Sequence, residues 1–220
     1  MQQRHIEIFY QIMAFLFALS FHESAHAFVA ERCGDPTGRM LGRISLNPIR
    51  HIDPIGTVVM PLIAALTGVP LIGWAKPVPV NPLNFRHLRR DDILVSLAGP
   101  ISNIILAVIS VVLLAGCRVI SGQHLGDLVY AEPATFWQPL VIMFVTLMEV
   151  NLLLAVFNCI PVPPLDGSHV LRHMLPENMQ EGFDRIGMFG LLILMLVGGR
   201  ILGVLLAPVQ RLFFGILNQL

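Results

Sequence analysis

Long apolar runs constrain this chain more than any other feature. They occupy residues 6–21, 55–72, 93–117, 137–160 and 186–206. Several approach the roughly 20 apolar residues that a helix needs to cross the core of a bilayer. Charged residues make up only 13% of the chain, against about a quarter in soluble domains. The sequence therefore predicts an integral, multi-pass membrane protein in a lipid bilayer, and its zero net charge argues against nucleic acid as a partner.

Basic residues indicate how these runs cross the membrane. Four Arg lie within 31–50, one Lys and three Arg lie within 76–92, and neither type occurs within 119–136. Lys and Arg in short loops collect on the cytoplasmic side. Both rich loops lie inside if 55–72 re-enters the membrane, and on opposite faces if it spans. The charge pattern favours re-entry, with the N-terminus outside.

The predicted fold is an all-α polytopic membrane protein, a bundle of about four to six transmembrane helices. Full crossings are predicted at residues 6–32, 93–117, 137–160 and 186–206. The region 53–85 supplies the re-entrant segment and a small extended or β element, because WAKPVPVN is rich in proline, which central strands exclude. Residues 1–220 are interpreted as a single integral-membrane domain.

The stretch HESAH at 22–26 places ionisable groups inside the first apolar run. On an α-helix, positions i and i+4 share a face, so His22 and His26 can bind one ion together. Glu23 stands beside a ligand, where it can take a proton from metal-bound water. Core histidines satisfied by hydrogen bonds are the alternative, but ionisable groups in a spanning helix are costly and mark functional sites. The pattern predicts a metal site that needs a further protein ligand.

Asp166 is the candidate for that ligand. It ends the stretch NCIPVPPLD, whose prolines break the helix that begins near residue 137. A broken helix at membrane depth is tolerated only where it lines protein or a watery cavity. Counted at 1.5 Å per residue, His22 and Asn158 both reach the inner half of the bilayer. The alternative role for Asp166 is the N-cap of the next helix, and the two roles are compatible.

Three motifs in order carry a family resemblance. HESAH at 22–26, SLAGPISN at 96–103 and NCIPVPPLDG at 158–167 resemble the site-2 protease family of intramembrane zinc metalloproteases, in its compact form without PDZ or CBS domains. The resemblance implies that His22, His26 and Asp166 bind one Zn2+ ion. It also implies that Glu23 is the catalytic general base that activates zinc-bound water.

The same resemblance implies the substrate, and the charge pattern gives the orientation in the membrane. The substrate is a transmembrane protein, cut within or near a transmembrane segment, often after another protease has trimmed it. The expected location is a bacterial cell membrane, with the active site towards the cytoplasmic side. The extended segment WAKPVPVN could hold an unwound substrate along a strand edge.

Asn103 is predicted to bind substrate, because it is an amide in an apolar helix within the second motif. There it could donate a hydrogen bond to a developing oxyanion. An interhelical hydrogen bond is the alternative for Asn103. Asn158 has the same two interpretations.

Four further polar residues are interpreted as structural. His51 and Asp53 in RHIDP favour a turn capped by Asp over a second metal site. His169 and His173 repeat the i, i+4 spacing. The spacing could suit a second metal site, but the two are interpreted as residues of an interfacial helix.

Two alternatives to an active protease remain at the level of sequence. A membrane metal carrier or channel could use His22, His26 and Asp166 for transit, although it would need no general base at Glu23. An inactive relative could hold membrane segments without cutting them, although the complete ligand set and base argue against it.

Overall fold

The computed structural model describes residues 2–67, 74–129 and 136–219. Within these ranges the chain forms the helices α1 Gln2–Cys33, α2 Thr37–Met40, α3 Met60–Thr67, α4 Leu88–Ser121, α5 Leu125–Val129, α6 Trp137–Asn158, α7 Asp166–Met174 and α8 Glu177–Gln219. Tight helical turns form at Pro48–Arg50 and Pro82–Asn84, and a wide helical turn at Pro54–Val59 leads into α3.

Three of the described helices are long and apolar enough to cross a bilayer. They are residues Ile6–Cys33 of α1, the whole of α4 and the whole of α6. At 1.5 Å per residue, the 22 residues of α6 extend about 33 Å, which matches a hydrocarbon core of about 30 Å. The prediction of an all-α integral membrane protein is confirmed.

The predicted fourth crossing at 186–206 falls within α8. Side chains at 186–189 and 191–201 lie outside the described part of the structure, and the described apolar stretch Leu202–Leu217 is shorter than a span. The total number of crossings therefore stays a prediction.

The predicted re-entrant segment 55–72 is described only to residue 67, because 68–73 lie outside the described ranges. Beyond that gap, the N–H of Trp74 donates to the carbonyl of Gly56 over 3.3 Å. The Thr57 hydroxyl donates to the Trp74 carbonyl over 2.8 Å. A Cβ at Gly56 would lie 2.5 Å from the indole ring, so only glycine allows this approach. Trp74 therefore lies against Gly56 and Thr57, which brings the two ends of the segment together.

The predicted β element does not form in the part of the chain that the structure describes, which contains no strand. Residues 74–80 are irregular instead. Pro77 and Pro79 lack the N–H groups that pairing with a neighbouring strand requires. The segment is held by individual hydrogen bonds from the surrounding loops and α1.

The helix α4 is central to the bundle and packs on both α1 and α6. Its buried positions recur every three or four residues, at Val95, Gly99, Asn103, Leu106, Ser110 and Leu114. Its opposite face exposes apolar side chains suited to lipid, at Ile101, Ile104, Ile105 and Val108. On α1, Ala18 is fully buried and its carbonyl accepts from Asn103 Nδ2 of α4 over 3.4 Å, so α1 and α4 approach closely at this small residue. This packing brings polar groups of three helices together.

Candidate metal centre

Three ligand atoms from α1 and α7 converge at the centre of the site. The Nε2 atoms of His22 and His26 lie 3.0 Å apart. Asp166 Oδ2 lies 3.2 Å from the first and 3.4 Å from the second. Both histidines are buried, and the Asp166 side chain is 21% exposed. Among the described residues, this is the single group of three potential ligand atoms that all lie within 4.8 Å of one another.

Hydrogen bonds to the outer ring nitrogens orient both imidazoles. His22 Nδ1 donates to Asn103 Oδ1 over 2.7 Å. His26 Nδ1 donates to the carbonyl of Val95, also over 2.7 Å. With the proton on Nδ1, a neutral imidazole presents an unprotonated Nε2, the form that binds a metal. Both inner nitrogens therefore face the centre as lone pairs.

The centre fits a cation. Asp166 Oδ2 is buried and accepts no hydrogen bond. A buried oxygen without a partner costs free energy of folding, so a partner is expected at this position. Three electron-rich atoms thus meet with no proton between them. In a tetrahedral zinc site with bonds of about 2.0–2.1 Å, ligand atoms lie about 3.3 Å apart. The observed spacings of 3.0–3.4 Å agree with that geometry.

A chain of amides fixes the orientation of Asn103. Its Nδ2 donates to Asn151 Oδ1 over 2.7 Å, and Asn151 Nδ2 donates to the carbonyl of Leu147 over 2.8 Å. A carbonyl can only accept, so it determines which way Asn151 points, and Asn151 determines which way Asn103 points. Both amides are fully buried. These hydrogen bonds link α6 to α4 and direct Asn103 Oδ1 to accept the hydrogen bond from His22 Nδ1.

Gly99 on α4 leaves the space in which the histidine rings meet. A Cβ there would lie 2.4 Å from His26 Nε2 and 2.4 Å from His22 Cε1. Real contacts to a Cβ are never so short, and α4 is held in place by packing on two other helices. Glycine is therefore required at this position for both rings to point inward.

Asp166 is the first residue of α7 and follows the turns after α6. The next residue, Gly167, lies against the end of α6, where a Cβ would be 2.4 Å from the carbonyl oxygen of Cys159. This close approach folds the chain back and directs the Asp166 carboxylate towards α1. Asn158 bonds locally, its Nδ2 donating to the Leu154 carbonyl over 3.0 Å.

Glu23 is half-buried beside the ligands and contacts the irregular segment 74–80. The N–H of Val78 donates to Glu23 Oε2 over 2.9 Å. Arg43 is buried and holds the adjoining backbone, donating to the carbonyls of Arg50, Lys76 and Pro77. The carboxylate thus lies between the candidate metal ligands and a fixed backbone segment.

The RHIDP stretch supports the loop next to this segment. Asp53 accepts from the N–H groups of Ile55 and Gly56, as expected for a capping residue. His51 is buried, and burial lowers its pKa, which favours the neutral ring. Its Nε2 donates to the carbonyl of Ser45 over 2.8 Å, and its own carbonyl accepts from the Lys76 N–H. Neither residue joins a metal cluster among the described residues.

Comparison with known proteins gives the family. A family model described as peptidase family M50 matches residues 118–198, which include Asp166. The chain is 35% identical over 188 residues to "Putative zinc metalloprotease YwhC" of Bacillus subtilis, an alignment that covers 86% of this chain and 79% of that protein. The chain belongs to peptidase family M50, the site-2 proteases.

Two mycobacterial proteins, each named "Putative zinc metalloprotease Rip2", are also similar. The Mycolicibacterium smegmatis protein is 31% identical over 88% of this chain and 68% of its own length. The Mycobacterium tuberculosis protein is 33% identical over 95% of this chain and 71% of its own length. No solved structure matches. The predictions of a zinc metalloprotease with a Zn2+ cofactor are confirmed by this family membership.

Several residues around the M50 centre were not identified from the sequence. Gly99 has no side chain to mark it, although it lies in the quoted stretch SLAGPISN. Asn151 is an amide in an apolar helix, the same signal that pointed to Asn103. Val78 contributes only a backbone N–H, which no side-chain pattern reveals. A further carboxylate, Asp92, contacts both His169 and His173. The local interpretation of those two histidines therefore missed a partner from a different helix.

Proposed function

We propose that this protein hydrolyses a peptide bond within or near a transmembrane segment of a membrane-protein substrate. The observation that carries the proposal is the convergence of His22, His26 and Asp166 within 3.0–3.4 Å. The two histidines belong to a helix apolar enough to span a bilayer, and Glu23 is their immediate neighbour. A hydrolytic centre at that position suits a substrate that is itself in the membrane.

His22, His26 and Asp166 are the proposed ligands of the zinc ion. A bound zinc ion would act as a Lewis acid: it would polarise a carbonyl and lower the pKa of a bound water to about 7. The protein contributes the orientation of the rings through Asn103 and Val95, and excludes competing ligands by burying both histidines.

Glu23 is the proposed general base. It would accept a proton from the attacking water and pass it to the leaving amine, a role worth about 10²–10⁴ in rate. Its Oε2 already accepts from Val78, so Oε1 is the atom available to water. The Val78 N–H also fixes the carboxylate in one orientation, which favours productive proton transfer.

Asn103 is proposed to orient His22. The predicted role in substrate binding stays a prediction, and the placement of Asn103 supports the other role. Its side chain is fully buried, and both of its polar atoms have partners, His22 and Asn151. The second N–H of Nδ2 points to the Ala18 carbonyl over 3.4 Å, so both N–H groups of the amide have acceptors within the protein.

Segment 55–72 is proposed to re-enter the membrane from the cytoplasmic side. The meeting of Trp74 with Gly56 and Thr57 supports this, because a spanning segment would separate its ends by about 30 Å. Both Arg-rich loops then lie on one side, with the active site towards the cytoplasm. Location in a bacterial membrane, the single domain over 1–220 and prior trimming of the substrate remain parts of this proposal.

Substrate backbone is proposed to bind only at the far end of segment 74–80. Arg43 engages the carbonyls of Lys76 and Pro77, the Lys76 N–H bonds to His51, and the Val78 N–H bonds to Glu23. From Lys76 to the Val78 N–H, the backbone hydrogen-bonding groups are thus occupied. An extended substrate would pair from the Val78 carbonyl onward.

Comparison of membrane fragments between wild type and Glu23→Gln tests the proposal. Host cells producing either protein are analysed by quantitative proteomics, with zinc content and protein level measured in parallel. We expect fragments that end within transmembrane segments only with wild type. Glu31→Gln is the matched control, because Glu31 lies on the same helix and pairs with Arg39 instead. Identical fragment profiles for wild type and Glu23→Gln would contradict the proposal.

A metal carrier with the same ligands is not favoured. Such a protein would need neither Glu23 nor family membership among peptidases. Uptake of zinc into proteoliposomes that is unaffected by Glu23→Gln, with no membrane fragments produced, would support the carrier.

A further inference from the structure

A second cluster of polar side chains joins α4 to α7, separate from the ligands. Asp92 Oδ2 accepts from His169 Nδ1 over 3.2 Å and from His173 Nε2 over 2.7 Å. The Asp92 and His173 side chains are 16% and 12% exposed, whereas His169 is 49% exposed. The bond to His173 is therefore the better shielded and, at its length, the stronger of the two.

This cluster differs from the metal centre in its geometry. At the metal centre all three ligand atoms approach one another, including the two nitrogens. In the second cluster both nitrogens approach a single carboxylate oxygen, and the group of three does not fall within 4.8 Å among the described residues. One oxygen that accepts from two donors is a hydrogen-bonded clamp.

The clamp acts on the helix that begins with a metal ligand. Asp166 is the first residue of α7, a helix of 9 residues without a side-chain cap at its N-terminus. Asp92 lies about two turns before Gly99 on α4, the helix that also carries Asn103. The clamp thus fixes the Asp166 helix to the same helix that shapes and orients the histidine pair.

We propose that Asp92 is a positioning residue that holds α7, and with it Asp166, at the distance needed for a three-ligand centre. The inference rests on the proposed ligand set. His173 is the main contact and His169 the weaker one. Without the clamp, Asp166 remains in the sequence but no longer meets the histidines at a fixed distance.

Zinc affinity of the full-length protein in detergent tests the clamp. Zinc dissociation constants are measured by chelator competition for wild type, Asp92→Asn, His173→Leu and His173→Gln. We expect zinc binding to weaken about 10–100-fold in Asp92→Asn and His173→Leu, the range typical of residues that orient ligands. His173→Gln should restore most of the affinity, because its amide can still donate to Asp92.

A spectroscopic measurement separates positioning from simple stabilisation of the fold. At saturating Co2+, we expect the visible absorption bands of Asp92→Asn to shift from those of wild type, since the Asp166 carboxylate is displaced. Asp184→Asn is the matched control, because Asp184 also pairs with α7, through Arg172, at an exposed position. Its spectrum and zinc affinity should equal those of wild type.

The outcomes separate the clamp from the proposed function. Unchanged zinc affinity and an unchanged cobalt spectrum in a folded Asp92→Asn protein would overturn the clamp, even if Glu23 proved essential for proteolysis. Loss of one of two bound zinc ions in that variant would overturn it in favour of a second metal site. Weakened single-zinc binding would support the clamp even if no proteolysis were found.

Discussion

The backbone N–H of Val78 donates to the Glu23 carboxylate over 2.9 Å, which joins two residues 55 positions apart in the sequence. Glu23 is thereby held between the proposed histidine ligands on α1 and a segment fixed by Arg43. The segment returns from the apolar stretch through contacts of Trp74 with Gly56 and Thr57. The arrangement gives the proposed base one orientation and leaves one of its oxygens available.

Hydrogen exchange at Val78 tests this contact directly. Because Pro77 and Pro79 have no N–H, Val78 carries the single exchangeable amide in the stretch 77–79. We expect slow exchange in wild type and exchange at least 10-fold faster in Arg43→Gln, which releases the segment, since such local openings are what amide exchange reports. Arg39→Gln, at an exposed ion pair, is the control. Equal exchange in wild type and Arg43→Gln would contradict the role given to Arg43.

Gly99→Ala should abolish zinc binding. The added methyl group would occupy the space of the His22 and His26 rings, at 2.4 Å from each. Alanine raises helix propensity by about 1 kcal/mol over glycine, so the helix itself should not be weakened. Zinc per chain is measured by mass spectrometry after gel filtration.

Gly116→Ala is the control for that substitution. It lies on the same helix, and a Cβ there would meet nothing within 4 Å. It should retain wild-type zinc content. Full zinc content in Gly99→Ala would show that the rings do not need this space.

Asn151→Leu should weaken zinc binding although Asn151 touches no ligand. It removes the acceptor that orients Asn103, so Asn103 Oδ1 is no longer held in place to accept the hydrogen bond from His22. We expect a loss of about 10–100-fold in affinity, measured by chelator competition. Ser110→Ala is the control, since Ser110 is equally buried but bonds only to the Leu106 carbonyl of its own helix. Wild-type zinc affinity in Asn151→Leu would show that the hydrogen bonds between Asn103 and Asn151 are not needed to orient His22.

His169 should titrate above its ordinary pKa. The hydrogen bond to Asp92 raises the pKa of His169, against the opposing effect of burial. A pKa raised by folding means that the charged ring is stabilised in the folded state. Its contribution to stability is complete below about pH 6.5 and is lost as pH rises through the raised value. NMR titration should show the pKa falling in Asp92→Asn, and an unaltered titration would argue against the contact.

The sequence was sufficient to single out the candidate ligands, because the features that mark them are local. HESAH places His22 and His26 on one helix face by spacing alone, and Asp166 stands out as a carboxylate after prolines in an apolar region. These are residue types whose cost in a membrane demands a function. Long apolar runs likewise predicted the helices α1, α4 and α6.

The remaining features depend on contacts between distant segments. Asn103 meets His22 across 81 residues, and Asp92 meets His173 across 81. Local periodicity predicts which face of a helix is buried, but not which residue of another helix lies opposite. The prediction of a β element was wrong within the described residues. It treated the prolines as a sign of an edge strand, whereas the segment forms separate hydrogen bonds to Arg43, His51 and Glu23.

Proteolysis by reconstituted protein tests the central claim most directly. A membrane substrate identified from the fragment comparison is mixed in proteoliposomes with wild type or Glu23→Gln, each verified to carry one zinc per chain. The rate of cleavage within the transmembrane segment is measured in single-turnover reactions. We predict that Glu23→Gln keeps its zinc and loses about 10²–10⁴-fold in rate. Cleavage by Glu23→Gln at the wild-type rate would contradict the account.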